Sequence, residues 1–227
     1  MTTLGKPHIH YSTLGSTNDR ARELAGSGAE SGTIVTADEQ TAGRGRRGRS
    51  WQAPAGQALL LSVLLRDAPQ LLTLRVAVAA SEACGDRAQI KWPNDVLVDG
   101  RKVAGILCEQ QPGADWAIAG IGVNVAVDLA ALSPDLQETA GTLGRSKAEI
   151  GPFRDELLRQ LETALGLSPK ELIRQWSARD ALAGHRVEWN GGTGVAAGID
   201  AEGRLLVDSG AEQLALDSGE VSLVLSD

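Results

Sequence analysis

The chain has 227 residues, 42% of them hydrophobic and 22% charged, which suits one medium domain with a small satellite and excludes a disordered chain. No apolar run reaches the ~20 residues that a bilayer-spanning helix needs, and the N-terminal residues through Ser16 lack a charged-then-apolar secretory pattern. A cytoplasmic protein with no membrane partner is expected. The net charge of −7, with four arginines concentrated between Arg44 and Arg49, argues against a DNA-binding chain and for a small anionic ligand at one basic spot. Cys84 and Cys108 are read as reduced core residues.

In chain order, Ser16-Thr17-Asn18-Asp19 supplies capping side chains for a short helix over residues 20–25. Residues 33–37 suit a strand, and a polar loop follows to about Gln57. Residues 58–65 read as a buried strand, and Pro69 as the start of a helix that ends at Gly85. Residues 89–92 and 96–98 are strands flanking Pro93. Asp99-Gly100 is a hairpin turn, and residues 102–110 form the returning strand. Residues 116–127 make another strand, whereas 128–150 carry no clear pattern. Pro152 opens a helix whose Phe153, Leu157, Leu158, Leu161 and Leu165 share a face. Ser168-Pro169-Lys170-Glu171 is a capping box for a further helix through about Trp176. From Gly184 short strands alternate with glycine turns, and two arginines stand against eight acids. The predicted fold class is α+β, with a main domain over residues 1–180 and a small β-barrel over 184–227.

Gly43-Arg44-Gly45-Arg46-Arg47-Gly48-Arg49-Ser50-Trp51 is the most informative stretch. It fits the spacing of a dinucleotide-binding turn, but polar residues 38–42 intervene after the strand, and Pro54 and Gly56 stop any following helix. A phosphate loop of the Walker type would need lysine where Arg49 stands, and the same missing helix. What remains is physical. The glycines permit backbone N–H groups to turn inward around an anion, and the arginines add forked, charge-assisted bonds to phosphate or carboxylate.

Of only five lysines, Lys91 and Lys102 fall in strand-like sequence, where either can neutralise charge at a reacting phosphorus or sit on an outward face. Asp95 and Glu109 are carboxylates able to orient such a lysine or meet Mg²⁺. Trp51 suits stacking on a heterocycle or anchoring the loop, and Asn124 suits a ribose contact or a turn cap. His8, His10 and His185 lack ligand spacing, and no nucleophile motif is present.

Five segments together resemble the biotin protein ligases. They are Gly15-Ser16-Thr17-Asn18; Glu39-Gln40 with residues 43–49 and Trp51; Lys91-Trp92-Pro93-Asn94-Asp95; Arg101-Lys102-Val103-Ala104-Gly105-Ile106-Leu107; and Gly120-Ile121-Gly122-Val123-Asn124. They run in the family's order over residues 15–124. The resemblance implies a mixed-sheet catalytic domain of the biotin/lipoate ligase type with a C-terminal SH3-like barrel. It implies an enzyme that uses ATP and biotin to biotinylate a lysine of a biotin carboxyl carrier protein through biotinyl-5′-AMP.

By the same resemblance, Ser16, Thr17, Asn18, Gln40, Gly43, Arg44, Gly45, Arg46, Lys102 and Gly105 bind biotin. Arg46, Arg47, Arg49, Trp51, Lys102 and Asn124 meet ATP or the adenylate, and Lys102 and Arg46 are the catalytic pair. Mg²⁺ would arrive with ATP, with Asp95 as the linked carboxylate and no dedicated metal site. A homodimer through a sheet edge is a family expectation. Too few residues precede Gly15 for the DNA-binding domain of repressor members, so that domain is expected to be absent. A lipoate ligase shares the chemistry, but its acyl group needs no polar set to read a ureido ring.

Overall fold

The computed structural model describes residues 4–210, 212–217, 219 and 221–224. Its main sheet comprises β1 (His8–Leu14), β2 (Ile34–Gln40), β3 (Leu59–Arg66), β4 (Ala88–Lys91), β5 (Asp95–Val98), β6 (Arg101–Gln110) and β7 (Trp116–Val123). Their spatial order is β1-β2-β3-β7-β6-β5-β4. β1 and β2 run parallel and the remaining neighbours antiparallel, so the sheet is mixed. A parallel pair needs a long crossover, and α1 (Thr17–Gly26) supplies it.

Central strand β3 reads LLLSVLLR and is buried from Leu59 to Leu65 because both its faces are covered. Alternation sends Leu59, Leu61, Val63 and Leu65 into the larger core with α2 (Leu72–Cys84), and Leu64 toward α1 with Ala21 and Ala25. Each such leucine stabilises the fold by about 1.5–3 kcal/mol. Ser62 shares the α1 face and is the one polar residue inside this run.

The structure departs from the sequence expectations at several elements. β1 is hard to read because HIHYSTL is a half-exposed edge strand whose inward residues, Ile9, Tyr11 and Leu14, are only partly buried. α2 begins three residues after Pro69, entered through Leu71 in the left-handed region at φ 60°. The unpatterned stretch 128–150 contains α3 (Pro134–Thr139) and two single 3₁₀ turns. α4 (Ile150–Leu165) starts ahead of Pro152, led by a capping box in which the Ser146 N–H donates to Glu149 Oε2 at 2.8 Å. At α5 (Pro169–Ser177) only half of the expected box forms. Ser168 Oγ accepts from the Glu171 N–H at 3.3 Å, but the Glu171 carboxylate turns to Arg174.

β8 (Arg186–Trp189), β9 (Gly192–Ile199), β10 (Leu205–Asp208), β11 (Gln213–Leu216) and β12 (Val221–Leu223) form a second, antiparallel sheet in the order β11-β10-β9-β8-β12. It is the small SH3-like unit at the C-terminus. Its Val187, Ala196, Leu205 and Val207 join the same buried cluster as Leu74 and Trp176. Trp92 Nε1 also donates to the Gly203 carbonyl at 3.0 Å, tying the second sheet to the turn between β4 and β5. Cys84 and Cys108 are both free, and burial pushes each thiol up to about 12, which keeps them protonated and unreactive near neutral pH.

Candidate functional site

A cavity of about 580 Å³, within the usual range of small-molecule sites, opens where α1, the loop after β2 and strands β4 to β7 converge. The tip of β12 (Val221, Ser222, Leu223) adds to its wall. Every candidate residue from the sequence lines this cavity except Gly43 and Glu109. Gly43 instead lies behind the wall, where a Cβ would fall 2.5 Å from the Trp51 carbonyl oxygen. The Trp51 N–H donates to the Gly43 carbonyl at 3.0 Å, so this glycine lets the loop close on itself.

At the polar end, Ser16, Thr17 and Asn18 are each only 4% exposed, and buried polar groups must be hydrogen-bonded. The Thr17 N–H and hydroxyl both donate to Gln40 Oε1, at 2.7 and 3.0 Å, leaving Gln40 Nε2 as that amide's donor. Ser62 Oγ donates to Asn18 Oδ1 at 2.6 Å and lies 2.8 Å from the Thr17 hydroxyl. Asn18 Nδ2 donates to the Leu107 carbonyl at 3.1 Å and to Glu109 Oε2 at 2.7 Å. The Asn18 amide is thus spent on the protein, and Gln40 Nε2 and the Ser16 hydroxyl, which makes no cap bond, are the groups left for a ligand. Gly120 admits this arrangement, since a Cβ there would sit 2.2 Å from Asn18 Oδ1.

The arginine loop folds as a tight turn. The Gly45 N–H donates to the Arg49 carbonyl at 2.7 Å, and Arg44 bridges Ser50. Of its glycines, only Gly48 has a positive φ; the other left-handed residue is Arg47, at φ 55°. The positive φ expected of the loop's glycines thus falls at Gly48 and is shared by Arg47. Arg47 adopts that conformation at a cost of about 1–2 kcal/mol. The Arg44 guanidinium faces carboxylates, 2.6 Å from Asp19 Oδ1 and 3.2 Å from Glu109 Oε2. Arg46 is half-buried and donates to Asn94 Oδ1 at 3.3 Å. Burial, and then the neighbouring Arg47, lower its pKa from the usual arginine value.

At the other end, Lys102 Nζ stands 2.7 Å from Asp95 Oδ1 and 5.8 Å from the Trp51 ring centroid. Trp51 lies against Gly105 and Gly122, which are register partners on β6 and β7. A Cβ would reach within 2.9 Å of the indole at Gly105 and 2.6 Å at Gly122. Among the described residues, Trp51 Nε1 and Asn124 Oδ1 are both buried without a partner, while Asn124 Nδ2 donates to the Gly141 carbonyl at 2.9 Å. An unpaired buried polar atom costs about 1–3 kcal/mol, which a complementary ligand would recover. Lys91 also lines the cavity. Glu109 does not join Asp95 beside the lysine; it pairs with Arg22 and Arg44. Sequence reasoning missed Ser62, although a lone serine inside an apolar run is itself a signal, and it gave no role to Asn94.

A match to the Biotin/lipoate A/B protein ligase family covers residues 11–126, and one to the Biotin protein ligase C terminal domain covers residues 190–224. The chain is 36% identical to the Biotin--[acetyl-CoA-carboxylase] ligase of Paracoccus denitrificans, over 91% of this chain and 96% of that one. The chain belongs to the biotin/lipoate A/B protein ligase family. Within it, the Mycobacterium tuberculosis Biotin--[acetyl-CoA-carboxylase] ligase is also 36% identical, over 91% of this chain and 85% of that protein. The Bacillus subtilis Bifunctional ligase/repressor BirA is 37% identical, and the match covers 70% of its length. Among solved structures, the biotin protein ligase from Aquifex aeolicus in complex with biotin and ATP superposes with a TM-score of 0.81 at 30% identity, covering 97% of this chain and all of that one. These relatives place the chain with the biotin protein ligases.

Proposed function

We propose that this chain is a biotin protein ligase that joins biotin to a lysine of a biotin carboxyl carrier protein at the expense of ATP. The observation that carries this reading is the division of one cavity into an amide- and hydroxyl-lined end and a lysine- and arginine-lined end. A ureido ring offers a carbonyl and two N–H groups to the first. Carboxylate and phosphate oxygens suit the second. Ser16 and Gln40 would meet the ring, with Thr17 and Asn18 framing it through the bonds already described. Arg46, Arg47, Arg49 and Lys102 would face the acyl-phosphate. Trp51 and Asn124 would take the nucleoside, and Gly45 and Gly105 provide backbone and floor.

In the first step a biotin carboxylate oxygen attacks the α-phosphorus of ATP. The acyl–phosphate bond forms as the bond to pyrophosphate breaks. In the second, the carrier lysine's amine attacks the acyl carbon, AMP leaves, and the amine's proton is lost. Negative charge develops on phosphate oxygens, where pre-placed cations act without reorganising. Among the described residues no group of three or more His, Cys, Asp or Glu is placed to hold a metal ion. Asp95, already facing Lys102, is the carboxylate that would meet Mg²⁺ arriving with ATP, and the ion would neutralise phosphate charge there.

The same reading takes residues 1–180 as the catalytic unit and 184–227 as the C-terminal unit, supported by the two separate family matches. It includes a cytoplasmic location, no DNA partner and a homodimer through a sheet edge. No helix among the described residues is long and apolar enough to cross a membrane.

Purified protein is expected to label one lysine of a carrier domain only when both ATP and biotin are present, read by streptavidin blot. Labelling with lipoate in place of biotin would overturn the assignment. A second expectation concerns retention of the intermediate. Arg46→Gly removes a half-buried cation from the loop, so adenylate should still form but escape about tenfold faster, since such changes act mainly on off-rate. Serum albumin mixed with the mutant, ATP and biotin should then be biotinylated without any carrier. Wild-type levels of albumin labelling would remove Arg46 from that role.

A further inference from the structure

Glu109 lies on β6 outside every motif that identified the cavity. Its Oε2 alone takes three donors: Asn18 Nδ2 at 2.7 Å, Arg22 at 3.0 Å and Arg44 at 3.2 Å. These donors come from two places that must act together. Asn18 belongs to the polar end, through the chain of bonds running by Ser62 and Thr17 to Gln40. Arg44 belongs to the loop that walls the cavity. Asp19 completes the cluster, its Oδ1 standing 2.6 Å from both Arg22 and Arg44. Arg22 is therefore a cation between two carboxylates, and Arg44, carried by the loop, is the second. Without Arg44, two carboxylates share one arginine.

We propose that Glu109 is a positioning residue that couples the ring-reading end of the pocket to closure of the arginine loop, with Arg44 as the latch. The proposal rests on reading the cavity as a biotin site. Glu109 touches no reacting atom. It orients the Asn18 amide, with Nδ2 toward the carboxylate and Oδ1 toward Ser62, and it holds the first arginine of the loop. A ligand that tightens the polar end thereby favours the closed loop, and a closed loop in turn preserves the polar end, because such coupling is reciprocal.

The loop's arginines make trypsin a direct reporter of opening, independent of any ligand. Glu109→Gln keeps the shape and a hydrogen-bond acceptor but loses the charge. Its loop should be nicked about tenfold faster than wild type in the absence of ligand, and its KM for biotin should rise about tenfold with kcat within about twofold, a typical size for coupled neighbours. Arg44→Gln should do the same, and the double variant should be no worse than either single one. Asp115→Asn, which breaks the Arg66 pair outside this cluster, is the control expected to match wild type. Wild-type nicking and KM in Glu109→Gln, or additive effects in the double variant, would overturn the latch. Should Glu109→Gln misfold, Arg44→Gln on the exposed side of the cluster carries the nicking measurement by itself. Failure of the wild-type protein to bind biotin would instead overturn the functional reading, leaving the nicking result to judge the latch.

Discussion

Lys102→Ala is expected to lower biotin-dependent pyrophosphate release by about 10²–10³, or roughly 2.7–4 kcal/mol of transition-state stabilisation. The side chain extends from β6 into the cavity, with Nζ 2.7 Å from Asp95 and its stem packed over Gly105. A lysine held by one carboxylate loses little freedom when a more strongly charged phosphate takes over part of that contact. Removing it also leaves Asp95, only about a fifth exposed, without its cation. A purely structural lysine would therefore give a different result in the Lys102→Ala/Asp95→Asn double variant, where the stranded charge is gone. Recovery of activity there would assign Lys102 to neutralising Asp95. Loss beyond that of Asp95→Asn alone, with far-UV circular dichroism unchanged, assigns it to the phosphate.

Legibility from the sequence followed the physics of each segment. Strands with strong apolar runs, such as β3, and hairpins with a marked turn, such as Asp99-Gly100, were readable because local sequence decides them. β1 was not, because backbone pairing with β2 at a sheet edge holds it together with only the partly buried Tyr11 and Leu14 against the core. The capping box at Ser146 was overlooked for another reason: it opens on a single 3₁₀ turn before α4 continues. Within the cavity, residue types were legible and their partners were not. Arg44 is legible from the basic loop itself, whereas Asn18 and Gln40 are marked for a ligand only by the family resemblance. That Asn18 and Arg44 spend their bonds on Glu109 depends on the register of β6 against β7 and on the approach of α1, which no local pattern encodes. Gly43 was read as a binding residue, whereas its lack of a side chain serves the loop's own closure.

The indole platform makes the remaining prediction. Gly105 and Gly122 stand opposite one another on β6 and β7, and Trp51 rests on both. A methyl group at residue 122 would lie 2.6 Å from Trp51 Cε2 and 2.9 Å from Cζ2, closer than carbon atoms pack, so Gly122→Ala must lift the ring. The backbone of Trp51 cannot follow, because its N–H is bonded to the Gly43 carbonyl. The ring must tilt toward the cavity, away from the plane in which a base would stack. Base–aromatic stacking is worth about 1–3 kcal/mol, so the KM for ATP should rise about tenfold to a hundredfold. Biotin affinity, measured by calorimetry without nucleotide, should stay within about twofold, because the polar end is held over Gly120 by bonds that do not involve Trp51. Trp51→Phe in the Gly122→Ala background gives the ring room over the new methyl and should recover part of the ATP affinity. If Gly122→Ala weakens biotin and spares ATP, the indole belongs to the biotin side and the two ends of the cavity have been assigned in the wrong order.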